Sequence, residues 1–216
     1  SLAGVAQTVY VDTRIVEEAV CTGSCSFTYS NSATPKVTAL SATTLHPGDS
    51  LTLTGSGFGA GTPVVTINDV ACSVTSNSDT SITLTVPTDF TPSASASISV
   101  NADGIGYAVF DSSISNVVSI PPKLSGISPS SGSTAGFLLT LTGTGFVDGT
   151  TVKVGSGNCV IRSLTATTIV CKATTSGTVK ISYGDFSSQA CVSGTCSVTL
   201  SGSLTPAVSA VSPLAP

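Results

Sequence analysis

Apolar and polar residues alternate over short stretches along most of the chain, and turn-forming residues separate these stretches. In the segment LTLTG, Leu51 and Leu53 fall on one face of an extended strand, while Thr52 and Thr54 fall on the other. This two-residue period predicts half-buried β-strands. The predicted strands are VTAL, SLTLTGSGF, VVTIND, ITLTV, ASISV and VVSI, followed by KLSGI, FLLTLTGTGF, TVKVG, TIVCKA, TVKISYG and CSVTLSG.

The same strand pattern occurs twice. LTLTGSGF recurs as LTLTGTGF 88 residues later, and three prolines, Pro35, Pro122 and Pro206, lie at successive repeat starts. We therefore expect the chain to be part of a longer array, which begins within one repeat and ends within another. The predicted organisation is two complete repeats at 35–120 and 121–204, with closing strands of an earlier repeat at 1–34 and the opening strand of a later repeat at 205–216.

Composition agrees with an all-β fold and excludes two classes of partner. Charged residues make up only 8% of the chain, the net charge is -4, and Met and Trp are absent. Seven Lys and Arg residues in total are too few for a nucleic-acid surface, which needs clustered cations. Ser, Thr, Gly or Asp interrupts every apolar run, so we expect no membrane insertion within this segment. The N-terminus lacks the pattern of a signal peptide.

Repeats of about 85 residues with six or seven short strands are typical of immunoglobulin-like β-sandwiches. Each complete repeat resembles an IPT/TIG domain in three features. These are a proline-led opening strand, a Pro-x-x-Gly or Ser-Gly turn, and the segment Leu-Thr-Gly-x-Gly-Phe. In the second repeat, the pair Cys159 and Cys171 on either side of a strand–turn–strand unit also matches. The resemblance extends to the tandem extracellular arrays of plexins and fibrocystin-type surface proteins. It implies tandem immunoglobulin-like sandwiches without catalytic activity.

The glycines of GSGFGAG, at 55–61, are superficially similar to a nucleotide-binding loop. A dinucleotide-binding fingerprint requires a helix after the glycines, whereas TPVVTIND predicts another strand. We expect instead that Gly57 and Gly145 supply a bulge or a positive φ, which lets Phe58 and Phe146 turn into the sandwich.

Six of the seven cysteines form three predicted disulfides. Cys159 and Cys171 enclose a 13-residue segment and would join neighbouring strands, contributing roughly 3 kcal/mol. The remaining pairs, which would close the turn before the last strand of a repeat, are Cys21 with Cys25 and Cys191 with Cys196. Zinc binding is the alternative, but these pairs lie in different repeats, and the single histidine lies elsewhere. Disulfides favour an oxidising compartment.

Cys72 has no predicted partner in the chain. It corresponds to Cys159, but the position that corresponds to Cys171 is occupied by Leu84. Two interpretations follow: a buried free thiol that acts as a small apolar residue, or an inter-chain bridge or contact in an assembly.

The sequence offers no convincing catalytic or metal site. His46 lies in LHPGD, which predicts a solvated turn, and no serine lies in a nucleophile elbow. Calcium is an alternative around Asn101, Asp103 and Asp111, but three scattered oxygen ligands fall short of a complete shell. We predict no enzyme activity and no cofactor.

The leading functional hypothesis is a rod or filament segment of a large cell-surface or ciliary appendage protein, located outside the cell. Copies of the same chain or neighbouring repeats are the expected partners, and O-linked glycans on Ser and Thr remain open. A ligand-binding ectodomain of the plexin or fibrocystin type is the alternative. A carbohydrate-binding accessory module is weaker, because Trp is absent and the four tyrosines are dispersed.

Overall fold

The computed structural model of the chain describes residues 33–192, 194 and 196–207, together with two short strands at 6–8 and 26–28. The first part of the chain contains β1 Ala6–Thr8, β2 Ser26–Thr28, β3 Lys36–Leu40, β4 Ser50–Ser56, β5 Val64–Ile67, β6 Val70–Ala71, β7 Ser73–Ser78, β8 Ser81–Thr85, β9 Ser93–Ala102, β10 Gly106–Tyr107, β11 Val109–Phe110 and β12 Val117–Ile120. The second part contains β13 Lys123–Ser128, β14 Ser131–Ser133, β15 Phe137–Thr144, β16 Thr151–Val154, β17 Gly157–Asn158, β18 Val160–Leu164, β19 Thr168–Ala173, β20 Gly177–Tyr183, β21 Phe186–Gln189, β22 Ser197–Ser201 and a 3-10 helix at Gly202–Leu204.

The first repeat is a sandwich of two sheets. One sheet has the strand order β11-β3-β4-β8-β7, and the other has the order β10-β9-β5-β6, with β12 also paired to β9. Alternate residues of β4 and β8 are fully buried, as the two-residue period predicts. Their inward-facing side chains and those of the second sheet form one apolar core, which includes Leu51, Leu53, Ile82 and Val100.

The second repeat has the same architecture and a core of its own. Its sheets have the orders β13-β15-β19-β18 and β14-β22-β20-β16-β17, with β21 also paired to β20. Leu139, Leu141, Ile169 and Ile181 are fully buried within this core. The prediction of tandem all-β immunoglobulin-like sandwiches is confirmed.

The Leu-Thr-Gly-x-Gly-Phe segment directs one aromatic ring into each core. Gly57 and Gly145 have φ angles of 73° and 71°, in the left-handed region that favours glycine. Directly after them, Phe58 and Phe146 are 0% and 1% exposed. The prediction that these glycines turn the phenylalanines inward is therefore confirmed, and the glycines are followed by strand β5 rather than by a helix.

Candidate functional site at the junction between the repeats

The second repeat contains a disulfide that joins β19 to the residue directly before β18. Cys159 lies directly before β18 and Cys171 lies in β19, with a Cα–Cα distance of 5.4 Å. Cys171 is completely buried and Cys159 is 4% exposed. The bond lies inside the core rather than on the surface, which is typical of a structural disulfide.

A second disulfide joins Cys191 to Cys196, just before β22. The same segment is held to the opening strand, because the backbone N–H of Val192 donates to the carbonyl oxygen of Leu124 over 3.0 Å. The disulfide joins two residues close in sequence, and the hydrogen bond of Val192 holds this part of the chain against β13. The predicted pair Cys21 and Cys25 lies outside the described residues.

Cys72 carries a free thiol that is half-buried against the core of the first repeat. Its Sγ lies 3.8 Å from the carbonyl oxygen of Val70. Burial raises the pKa of the Cys72 thiol to about 11, and a hydrogen bond with the backbone of Ile67 opposes this only in part. A thiol with this pKa is a poor nucleophile at neutral pH, and these properties favour the interpretation of Cys72 as a buried apolar residue.

We expect Cys72 to react slowly with thiol reagents in the folded chain. Because its pKa of about 11 lies two units above the ordinary value of 9.0, its thiolate fraction at pH 7 is about 100-fold lower than that of an exposed thiol. Alkylation with iodoacetamide, followed by mass spectrometry in native buffer and in denaturant, measures the difference. Equal rates would contradict the burial of this thiol, whereas a reductant-sensitive dimer on a gel would support the inter-chain interpretation.

Asp111 is one of the three residues that the sequence offered for calcium. Within the described ranges, no three His, Cys, Asp or Glu side chains are close enough to hold an ion. Asp111 forms an ion pair with Lys36 and accepts hydrogen bonds from Ser113. These contacts lower its pKa, with the Lys36 hydrogen bond as the largest cause. Asp111 is therefore occupied within its own repeat.

The two repeats are joined by a very short linker. Strand β12 ends at Ile120 and β13 begins at Lys123, so only Pro121 and Pro122 lie between the two sandwiches. Both prolines are buried. Proline has a fixed φ, and burial restricts rotation about ψ. This linker therefore restricts the orientation of one repeat relative to the other.

The repeats also contact each other directly at the turn of 46–49, which we call the corner loop of the first repeat. Lys123 Nζ of the second repeat lies 3.2 Å from Asp49 Oδ1. The hydroxyl of Thr144 donates to the carbonyl oxygen of Pro47 over 2.6 Å, and Gly145 N–H donates to the carbonyl oxygen of Thr88 over 3.2 Å. One ion pair and two hydrogen bonds therefore connect the repeats.

Asp49 is the electrostatic centre of this junction. Its Oδ2 accepts from the backbone N–H of His46 over 2.9 Å and lies 3.1 Å from His46 Nδ1. Burial raises the pKa of the Asp49 carboxyl, but the hydrogen bonds from His46 and Lys123, with the Lys123 charge, outweigh it and lower the pKa overall. The stabilisation is present above the unfolded-state pKa and is lost as the pH falls through the folded-state pKa.

Sequence reasoning did not identify this junction. The sequence placed His46 in a solvated turn, whereas in the structure His46 is half-buried there, Pro47 is buried, and Asp49 is bonded across the junction. The contact joins residues of two different repeats, and local patterns carry no information about such pairs. One available signal was the rarity of charge: with 8% charged residues, each acid and base is a candidate for a specific partner.

Within the described part of the chain, no helix has the length and the apolar character needed to cross a membrane.

Comparison with known proteins gives a consistent result. The profile of the IPT/TIG domain matches residues 35–117 and 122–200. The human protein fibrocystin-L is 32% identical over 178 residues, which are 76% of this chain and 4% of fibrocystin-L. The chain thus corresponds to a small part of that relative's length.

Two solved structures overlap with the chain more loosely. The extracellular region of plexin A4 has a TM-score of 0.34 at 16% identity, over 77% of this chain and 16% of the plexin chain. A surface glycan-binding protein from Prevotella bryantii has a TM-score of 0.37 at 14% identity, over 92% of this chain and 42% of its own. TM-scores this low support no functional inference. The two profile matches together cover most of the chain and coincide with the two sandwiches, and the chain therefore belongs to the IPT/TIG family of immunoglobulin-like domains.

Proposed function

We propose that this chain is a segment of an extracellular rod, in which immunoglobulin-like repeats are stacked end to end with a fixed orientation. The observation that carries the proposal is the direct contact between the repeats across a linker of two buried prolines. Independent domains on a flexible string need longer and more polar linkers. A structural segment uses this contact to transmit orientation from one repeat to the next.

An extracellular location is supported by the disulfides. Cys159–Cys171 and Cys191–Cys196 are both bonded, and such bonds persist in oxidising compartments. The matched 178 residues are only 4% of fibrocystin-L, which agrees with a segment of a large protein. Assignment to a ciliary or flagellar appendage stays a prediction, which imaging of the native material would test.

Neighbouring repeats are the proposed partners, with copies of the same chain as a further class. Only 8% of the residues are charged, so electrostatic repulsion between chains is weak. Exposed Ser and Thr side chains, as along β7, could carry O-linked glycans that limit such association. The surface chemistry is therefore compatible with lateral packing in a filament.

The rod proposal predicts a single narrow distance between labels in the two repeats. Ser76 and Ser163 occupy corresponding exposed positions in β7 and β18 and are suitable for non-cysteine spin labels. Pulsed electron paramagnetic resonance on the 216-residue chain would give one narrow peak if the repeats form a rigid body. A broad distribution would contradict the proposal.

Gly145→Ala should broaden or shift this distance, because a Cβ at position 145 would lie 2.7 Å from Pro47 Cγ of the first repeat. Gly57→Ala is the matched control. Gly57 has nearly the same φ, so the backbone strain is equal, but its Cβ would lie 3.5 Å from Pro35 Cα, an ordinary contact. Equal distance distributions in both variants would show that the contact does not set the orientation.

A further inference from the structure

The residue two positions before the first buried leucine of the long strand, β4 or β15, differs between the repeats. In the first repeat this residue is Asp49, whose carboxylate reaches Lys123 of the second repeat. The register Leu51↔Leu84 corresponds to Leu139↔Cys171, so Phe137 takes the place of Asp49 in the second repeat. Phe137 packs against the core of its own repeat and offers no charge to a neighbour.

The residues that open successive repeats differ in the complementary way. The second repeat opens with Pro121, Pro122 and Lys123, whereas the segment after the second repeat reads Thr205, Pro206 and Ala207. Because Pro122 corresponds to Pro206, Ala207 takes the position of Lys123 one repeat later. Asp49 of the first repeat therefore has a lysine at the start of the next repeat, and Phe137 of the second repeat has a small uncharged alanine there.

The corner loop of the second repeat, residues 134–137, already binds the segment that follows, together with the preceding Ser133. Thr205 Oγ1 lies 2.7 Å from Thr134 Oγ1 and accepts from the backbone N–H of Thr134 over 3.1 Å. The hydroxyl of Ser133 also donates to Thr205 Oγ1 over 3.1 Å. In both repeats, therefore, the corner loop contacts the residues that follow the repeat, through an ion pair in one and through hydroxyls in the other.

We infer that the residue two positions before the first buried leucine of the long strand, Asp49 or Phe137, and the third opening residue of the next repeat form a matched pair, which determines which repeats can be neighbours. The corner loop of the first repeat fits a repeat that opens with a cation at this position. That of the second fits an immunoglobulin-like repeat with a small, uncharged residue there. This inference rests on the proposed rod, since only fixed neighbours need such matching.

Charge reversal tests the first pair in the 216-residue chain. Asp49→Lys and Lys123→Asp each place like charges at the junction. Each should lower the ratio of chains with contacting repeats to chains with separated repeats, on the order of tenfold. The Ser76–Ser163 distance distribution would then broaden. The double variant Asp49→Lys/Lys123→Asp should recover the narrow peak. Asp111→Lys is the control, because it removes an ion pair of the same type within the first repeat only.

The outcomes separate this inference from the rod proposal. If the unmodified chain already gives a broad distribution, the rod fails, and the matched pair fails with it. If every variant gives a narrow distance distribution, or if the double variant gives one as broad as the single variants, the rod stands and the matched pair is wrong.

The second pair is tested by hydrogen exchange at the Thr134 amide, which reports the contact with Thr205. Ala207→Lys should increase its exchange rate about fivefold, as expected for loss of one hydrogen bond. Ala207→Ser, which keeps a small uncharged residue, should leave the rate unchanged. Equal rates in all three proteins would overturn the inference for the second repeat.

Discussion

Gly143→Ala is expected to destabilise the second repeat by about 4 kcal/mol or more, which places it among the most damaging single substitutions. A Cβ built at position 143 would overlap the backbone carbonyl oxygen of Lys123 and lie 2.5 Å from Cζ of Phe146. The carbonyl belongs to the neighbouring strand β13 and cannot move without disrupting the ladder. The ring is fixed in the core, so neither group can yield.

The loss should appear in chemical or thermal unfolding as a lower midpoint for the transition of the second repeat. Gly126→Ala in the adjacent strand is the control, because its nearest atom would be the hydroxyl oxygen of Thr142 at 3.2 Å, and this side chain can rotate. Gly55→Ala should have the corresponding effect on the first repeat, since its Cβ would overlap the carbonyl oxygen of Lys36. A loss no larger than that of Gly126→Ala would contradict the explanation.

The two glycines of the Leu-Thr-Gly-x-Gly-Phe segment differ in what the sequence could predict about them. The Leu-Thr-Gly-x-Gly-Phe segment predicted a positive φ at its second glycine, and this is correct for Gly57 and Gly145. The requirement at the first glycine is a close approach between strands at a register shift, opposite Val37 in one repeat and Leu124 in the other. Close approach depends on the pairing partner, and a single segment contains no information about its partner.

Strand prediction succeeded where one face of a strand is buried and failed at the sheet edges. The alternation in β4 and β15 follows directly from burial of every second residue. Strands β7 and β18 were not predicted, because most of their side chains are exposed and only Val74, Ile161 and Leu164 pack partly against the cores. These strands are held by backbone hydrogen bonds to β8 and β19, which no side-chain pattern reveals.

Leu84→Cys is expected to create a disulfide with Cys72 in the first repeat. Leu84 pairs with Leu51 and Val74, as Cys171 pairs with Leu139 and Ile161, so the two repeats present the same geometry at this position. The natural bond spans a Cα–Cα distance of 5.4 Å, within the range that disulfides require. The first repeat thus keeps a backbone suited to the bond and fills the space with a leucine instead.

The oxidised variant should be more stable than its own reduced form by about 3 kcal/mol, because the bond closes a short loop in the unfolded chain. The reduced variant should also be less stable to unfolding than the unmodified protein, since fully buried Leu84 is replaced by a smaller side chain. Unfolding curves with and without reductant give both quantities, and Cys72→Ser/Leu84→Cys, which cannot form the bond, should be insensitive to reductant in this repeat. Two titratable thiols in the oxidised variant would mean that the half-buried Cys72 cannot reach its neighbour. In that case the loss of the second cysteine reflects a changed backbone rather than a substitution within a preserved sandwich.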